Sequence, residues 1–161
     1  MHMRPAKLDD AAEIWKVMEP IIRAGETYAL PRDMSQDEAL AYWMNSKQET
    51  FVATDGNELL GTYFLRANHS GGGNHIANCG YMIAQTAQGR GVGRQMCEHS
   101  IERAQSLGYR GMQFNFVVST NERAVHLWQF MGFEIVGRLP QVFRHPSRGF
   151  VDAFVMFRSL L

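Results

Sequence analysis

Six residues, Gln88-Gly89-Arg90-Gly91-Val92-Gly93, separate a segment that reads as a strand from one that reads as a helix. Three glycines in such a turn let the backbone come close to a ligand. The first amides of the helix have no acceptor within it, and the helix dipole makes that end partly positive. Such an arrangement suits phosphate oxygens, and Arg90 and Arg94 add positive charge nearby. The spacing excludes the two commonest phosphate loops. A dinucleotide fingerprint runs G-x-G-x-x-G, but counting from Gly89 the sixth residue is Arg94, and from Gly91 it is Met96. A nucleoside-triphosphate loop needs Gly-Lys-Ser/Thr, and the turn holds no lysine. Taken alone, the cluster is as compatible with a plain flexible turn as with a ligand site.

Periodicity assigns the rest of the chain. Met3–Ala6 reads as a short strand. Asp10-x-x-Glu13 reads as a capping box that opens a helix with Ile14, Met18 and Ile21 on one face, closed near Gly25, with Pro20 predicting a kink or an early stop. Ser35-x-x-Glu38 opens a second helix carrying Leu40, Trp43 and Met44. Phe51–Thr54 and Glu58–Ala67 form a hairpin about Asp55-Gly56-Asn57. Gly71-Gly72-Gly73 is a flexible loop tip. Ile76–Ile83 is a strand in which Gly80 signals a bulge or a close backbone approach. A helix follows over Arg94–Leu107. Met112–Val118 then alternates, with Met112, Phe114, Phe116 and Val118 on one face and Gln113, Asn115 and Val117 on the other. Ser119-x-x-Glu122 caps a helix with Ala124, Leu127, Trp128 and Met131 inward, and strands at Glu134–Leu139 and Val151–Phe157 complete the order. Strand, two helices, three strands, helix, strand, helix and two strands make an α/β fold with a mixed sheet. Residues 1–161 form a single domain.

Composition narrows the class. The formal net charge is zero, so overall charge gives no attraction to nucleic acid or to an anionic membrane. Hydrophobic residues are 45% and charged residues 20%, with no apolar run of membrane-spanning length and no signal peptide after Met1-His2-Met3-Arg4. Cys79 and Cys97 are the only cysteines. They make no disulfide framework, no Cys/His pattern has zinc spacing, and the expectation is two small buried thiols in a reducing cytoplasm, with no metal.

Gln88-x-x-Gly91-x-Gly93 resembles the pyrophosphate signature Gln/Arg-x-x-Gly-x-Gly/Ala of the GCN5-related N-acetyltransferases. Downstream, Asn121-x-x-Ala124-x-x-Leu127-Trp128 with Met131-Gly132-Phe133 is similar to the second cofactor motif of that family. The likeness spans about residues 3–158. It implies the family fold, a mixed sheet whose central strands splay near Gly80, with helices on both faces. It implies acetyl-CoA as co-substrate. The backbone of Met82 and Ile83 would pair with the pantetheine amides, the segment Gln88, Gly89, Arg90, Gly91, Val92, Gly93 and Arg94 would hold the pyrophosphate, and Asn121 would contact the pantetheine arm. It also implies that a Met82 N–H stabilises the oxyanion.

Where many members carry a Tyr that protonates the thiolate, this chain has Trp128, whose indole is no acid at neutral pH. Core packing and an indole N–H bond to the sulfur or thioester are both open. The stretch Phe114–Asn121, Asn78 and the tail Ile135–Pro140 resemble the fungal azetidine-2-carboxylate N-acetyltransferases and their bacterial relatives. That likeness places Asn78 and Asn115 in the acceptor site and implies a small amino or imino acid. The Gly25–Pro31 loop, with Glu26, Thr27 and Tyr28, is similar to the acceptor-lining region of phosphinothricin-type enzymes. A direct attack needs a base or a water relay, for which His75 and Glu26 are candidates. Tyr28, Trp43 and Phe143 read as lids over a small ligand. Acetylation of a protein N-terminus or Lys, and a non-catalytic acyl-CoA-binding module, are the alternatives. Family habit admits a homodimer.

Overall fold

The computed structural model describes residues 1–161. Its elements run β1 (His2–Pro5), α1 (Ala11–Ala24), α2 (Gln36–Trp43), β2 (Glu49–Asp55), β3 (Glu58–Ala67), β4 (Ile76–Ile83), α3 (Val92–Ser106), β5 (Gly111–Val118), α4 (Glu122–Phe130), β6 (Glu134–His145) and β7 (Gly149–Ser159). The order is the one the sequence predicts. All strands join one sheet, β1-β2-β3-β4-β5-β7-β6. Only β4 and β5 run parallel, and the remaining neighbours are antiparallel.

Helices cover both faces. On one face Ile14, Met18 and Ile22 of α1 and Trp43 of α2 pack on Val52, Phe64 and Met82. On the other, Met96, Cys97 and Ile101 of α3 and Val125 and Trp128 of α4 pack on Tyr63, Met112 and Phe114. No helix is long and apolar enough to cross a membrane.

Several local expectations give way to competing interactions. Asp10 does not cap α1 with its side chain. Its carboxylate accepts from both terminal nitrogens of Arg4, at 2.7 and 2.8 Å, and from the Lys7 amide at 2.7 Å, because a bidentate guanidinium outcompetes a lone amide. Pro20 neither stops nor breaks α1; Pro20 and Lys16 are exposed, so the carbonyl deprived of its donor faces water. Gly25, at φ +65°, ends the helix as expected. The Ser35/Glu38 box forms reciprocally. Helix α4 is capped by Asn121, whose Oδ1 accepts from the Ala124 amide at 3.4 Å, rather than by Ser119. The glycine tip at 71–73 forms a 3-10 turn.

Two departures in the central strands shape the site. The β4–β5 ladder consists of Ile76–Gly111 and Ala77–Met112 alone. The splay therefore starts at Asn78, two residues before Gly80. Gly80 marks no bulge, since the β3–β4 register is unbroken there. It marks a close approach: a Cβ at Gly80 would lie 2.6 Å from the Phe64 ring and 3.2 Å from the Tyr28 hydroxyl. The β5 alternation fails after Phe114. Between Phe114–Met156 and Val117–Phe154 the register shifts, so Asn115 and Phe116 together oppose one β7 residue. The bulge turns Val117 onto the α3/α4 core beside Phe114 and frees Phe116 to meet Phe143, ring centroids 6.1 Å apart.

Candidate active site

The opened sheet leads into a cleft of about 820 Å³ that runs from the α3 N-terminus, past β4 and β5, to the loop after α1. At the α3 end the first intrahelical bond runs from the Gln95 amide to the Gly91 carbonyl, 3.1 Å. The amides of Val92, Gly93 and Arg94 are thus left without a helical acceptor. Gly89 and Gly91 hold left-handed φ of +78° and +77°, with nothing within 4 Å of a Cβ built on either. Gly93 has another role, because its Cβ would meet Ile83 Cδ1 at 3.0 Å and Leu127 Cδ2 at 3.1 Å. It lets β4, α3 and α4 pack together.

The charges here differ from the expected arrangement. Arg90 turns to Asp55 and Glu58 at 3.3 and 3.4 Å and does not line the cleft, while Arg94 pairs with Glu98 at 2.8 Å. Both guanidiniums stand in solvent-exposed ion pairs, and Arg94 still lines the cleft, so the anion-binding groups of the turn are its amides with Arg94 beside them. Arg123, on the first turn of α4, lines the cleft and donates to Gln88 Oε1 at 3.4 Å. The sequence reading missed it; its place two residues after the Asn121 cap is the signal that was available.

Along the splay, strand phase decides which backbone groups are free. Ala84 donates to the Leu60 carbonyl and Ile76 accepts from the Asn68 amide, both toward β3. His75 accepts from the Arg110 amide on the β5 side. Backbone polar groups alternate along a strand. The even residues of β4, Met82 included, therefore spend theirs on β3, where Met82 is registered with Thr62. The expected Met82 oxyanion contact is corrected on this ground. Tyr81 and Ile83 present their N–H and C=O groups to the opening. The Tyr81 carbonyl is already taken, accepting from the Tyr28 hydroxyl at 2.8 Å. Burial pushes the Tyr28 hydroxyl far above the usual tyrosine range, so it remains a donor. Tyr28 is a wall of the cleft fixed to β4. The Met82 side chain lies in the α1/α2 core.

At the far end the cleft is lined by Glu26, Thr27, Tyr28, Tyr42, Phe64, Arg66, Asn78, Asn115 and Phe116. Asn78 is buried and its Nδ2 donates to the Gln113 carbonyl at 2.9 Å, leaving Oδ1 without a protein partner. Asn115 is exposed, and its carboxamide is satisfied on both sides: Nδ2 donates to Asn68 Oδ1 at 2.6 Å, and Oδ1 accepts from Gln113 Nε2 at 2.9 Å. Both line the cleft, but only Asn78 has a carboxamide oxygen with no protein partner. Glu26 is exposed and free of ion pairs. His75 is exposed at the start of β4 and lies outside the cleft lining. Trp43 is no lid: it is fully buried and its indole N–H donates to Thr62 Oγ1 at 2.9 Å. Phe143 is buried on β6 behind Phe116 and does not line the cleft.

Trp128 packs at 4.9 Å from Tyr81 and 5.0 Å from Phe114, ring centre to ring centre, and is largely buried. Its indole N–H makes no hydrogen bond within the protein, and the ring borders the cleft. No cluster of three or more His, Cys, Asp or Glu side chains is placed to hold a metal ion.

A sheet opened between parallel strands, with spare amides at its mouth and spare strand edges within, has the shape and donors to take an extended chain ending in phosphates. The acetyltransferase (GNAT) family model matches residues 13–133. The chain belongs to this family, and it is an acyltransferase. It is similar to the N-acetyltransferase aca1 of Schizosaccharomyces pombe, 26% identical over 151 residues, covering 83% of this chain and 72% of that one. A GCN5-related N-acetyltransferase from Kribbella flavida superposes with a TM-score of 0.94 at 39% identity, over 98% of this chain and 96% of that one. At 21% identity the likeness to yncA from Salmonella typhimurium, solved with its cofactor acetyl-CoA, speaks for the fold; its TM-score is 0.88, over 100% and 94% of the two chains.

Proposed function

We propose that this enzyme transfers an acetyl group from acetyl-CoA to the amine of a small molecule, by direct attack in the cleft. The observation that carries the reading is the continuity of one cleft. It joins the unpaired α3 amides to a polar end walled by Tyr28, Tyr42 and Phe64. A wall of three aromatic rings suits a compact acceptor better than a polypeptide lying across the surface.

The residues present fit the carrier. The amides of Val92, Gly93 and Arg94, with Arg123 beside them, suit its pyrophosphate, and the Tyr81 N–H with the free edge of Ile83 suits an extended amide chain added as a strand. The carrier supplies an acetyl thioester, whose thiolate is a tolerable leaving group. Of this chain's own groups, the Tyr81 and Ile83 amides are the donors aimed into the opening. Asn78 Oδ1 is the acceptor available to orient an amine N–H. Glu26 is the carboxylate in the cleft able to take the ammonium proton, directly or through water. Asn121, engaged as a cap, contributes its remaining Nδ2.

The test is acetylation of a panel of small amines and short peptides, followed by thiol release and by mass of the product. Turnover confined to small amines supports the reading. Turnover of peptide N-termini or Lys side chains, with none for small amines, overturns it.

A further inference from the structure

Arg66 is a guanidinium with no protein partner in a cleft that otherwise pairs its cations. It is half-buried and lies over the Phe64 ring, 4.8 Å from its centre, yet it makes no ion pair and no hydrogen bond. Arg94 at the other end of the cleft has Glu98, and Arg123 has Gln88. Phe64 and Arg66 share one face of β3, and Arg66 stands in register with Asn78 of β4. The guanidinium thus shares the acceptor end with the unspent Asn78 Oδ1. A guanidinium carries five N–H donors in a rigid fork and no acceptor. Stacking on an aromatic face restrains the plane of that fork while leaving its edge donors unspent. Across this end the single carboxylate is Glu26, and it makes no ion pair with Arg66.

We propose that Arg66 determines acceptor specificity by binding a carboxylate carried by the same small molecule that bears the amine; this rests on the small-molecule reading above. Arg66 holds the carboxylate through a two-pronged contact. The amine then lies between Asn78 Oδ1 and Glu26, so the acceptor meets a cation restrained on the Phe64 ring and a carboxylate from the loop after α1. Neutral and purely cationic amines leave the fork unpaired and bind weakly.

The experiment compares amines that carry a carboxylate with their amides and their decarboxylated counterparts, on the wild type and on Arg66→Gln and Arg66→Lys. In the wild type, kcat/KM is highest for the carboxylate form. Arg66→Gln raises KM for that form by on the order of 10–100-fold, the scale of a lost charge-assisted contact. It changes kcat/KM for the amide form far less than for the carboxylate form, and Arg66→Lys restores part of the loss. Equal turnover of carboxylate and amide forms by the wild type, or an equal fall for both in Arg66→Gln, overturns the proposal while the small-molecule reading stands. Turnover of peptides alone, or of no amine at all, overturns both.

Discussion

Asn78 Nδ2 donates to the Gln113 carbonyl at 2.9 Å across the mouth of the splay, one residue beyond the last ladder pair, Ala77 with Met112. The next rung of a parallel ladder is replaced by a side chain that spans the gap. Asn78 thus wedges β4 from β5 and presents Oδ1 to the acceptor end. Asn78→Ala lowers kcat/KM for the best amine by about 1–3 kcal/mol, the scale of a lost buried hydrogen bond. Asn78→Asp has the same shape but sets a carboxylate against the Gln113 carbonyl, so it loses at least as much. Acetyl-CoA affinity stays near wild type in both. Asn115→Ala, whose carboxamide is spent on Asn68 and Gln113, changes kcat/KM by less than about threefold, as expected for an exposed site. Steady-state kinetics on all three variants, with acetyl-CoA titrations, decides. Full activity in Asn78→Asp excludes the wedge, and full activity in Asn78→Ala excludes the amine contact as well.

The glycines of the turn separate ligand binding from packing. Acetyl-CoA in hundredfold excess over Kd stabilises the fold by about 2.7 kcal/mol, and NAD and ATP do so far less. Gly91→Val costs about 1–2 kcal/mol through its left-handed φ and abolishes the ligand-induced shift. Gly93→Val drives a side chain into Ile83 and Leu127 and lowers the melting temperature of the free protein more than Gly91→Val does. Thermal unfolding with and without each nucleotide reads these effects. A shift of equal size with all three nucleotides, or one that survives Gly91→Val, contradicts the assignment.

Element order was legible because each element declares itself locally. Ile14 and Met18 repeat at helical spacing, although Ile22 rather than the expected Ile21 completes the buried face, and Asp55-Gly56-Asn57 turns the hairpin. Within β5, by contrast, both faces are apolar about Phe116 and Val117, so a bulge there leaves no trace in the pattern. The free edge of β4 was likewise hidden: a shift of one residue exchanges Met82 for Tyr81 and Ile83, and strand phase is set by the partner strand, Thr62 with Met82, not by β4 itself. Trp43 and Arg66 show the same limit from two sides. One aromatic expected as a lid over a small ligand is sealed in the core with its indole N–H bonded to Thr62, and one unremarkable strand arginine has no partner until the sheet brings the cleft to it.

Burial decides the cysteines. Cys79 and Cys97 are both buried, and desolvation pushes each thiol up to about 12. At pH 8 only about one molecule in ten thousand then carries a given thiolate. The native protein should react with neither a disulfide reagent nor an alkylating agent within minutes, and two thiols should titrate on unfolding. Rapid loss of one thiol in the native state, with loss of activity, shows instead a reactive cysteine.

The Arg4–Asp10 pair ties β1 to the start of α1, with 31% and 14% of the two side chains exposed. The Arg4 hydrogen bonds hold the Asp10 carboxyl below its ordinary value, with the Lys7 amide acting in the same direction. A lowered folded-state pKa gives stability that is complete above the unfolded value, about 3.9, and is lost as pH falls through the folded value. Asp10→Asn should therefore cost about 1 kcal/mol near neutral pH, after allowance for solvent screening. The difference between variant and wild type should shrink below about pH 4. Denaturant titrations at pH 7 and pH 3 measure it. A gap independent of pH assigns the effect to side-chain shape rather than charge.

Trp128 stands where the motif resemblance leads one to expect a proton-donating Tyr, and its geometry offers two roles. It is wedged between Tyr81 and Phe114, which makes it a packing group. Its N–H has no protein partner and borders the cleft, which leaves it a donor. The two roles respond differently to Trp128→Phe. Packing predicts a loss of about 1–3 kcal/mol in stability, as for a shape change in a filled core. It also predicts a kcat within about tenfold of wild type, or about 1.4 kcal/mol in the barrier, because a thiolate departs without a dedicated acid. A donor role predicts the reverse, intact stability with kcat down by more than about a hundredfold, the low end for general acid catalysis. We expect the packing outcome, because two ring contacts hold the indole in place whether or not a substrate is bound. Trp128→Tyr supplies the control. Its hydroxyl restores an ionisable donor at the cleft wall, so a kcat above that of Trp128→Phe at equal stability shows that protonating the leaving sulfur limits the rate.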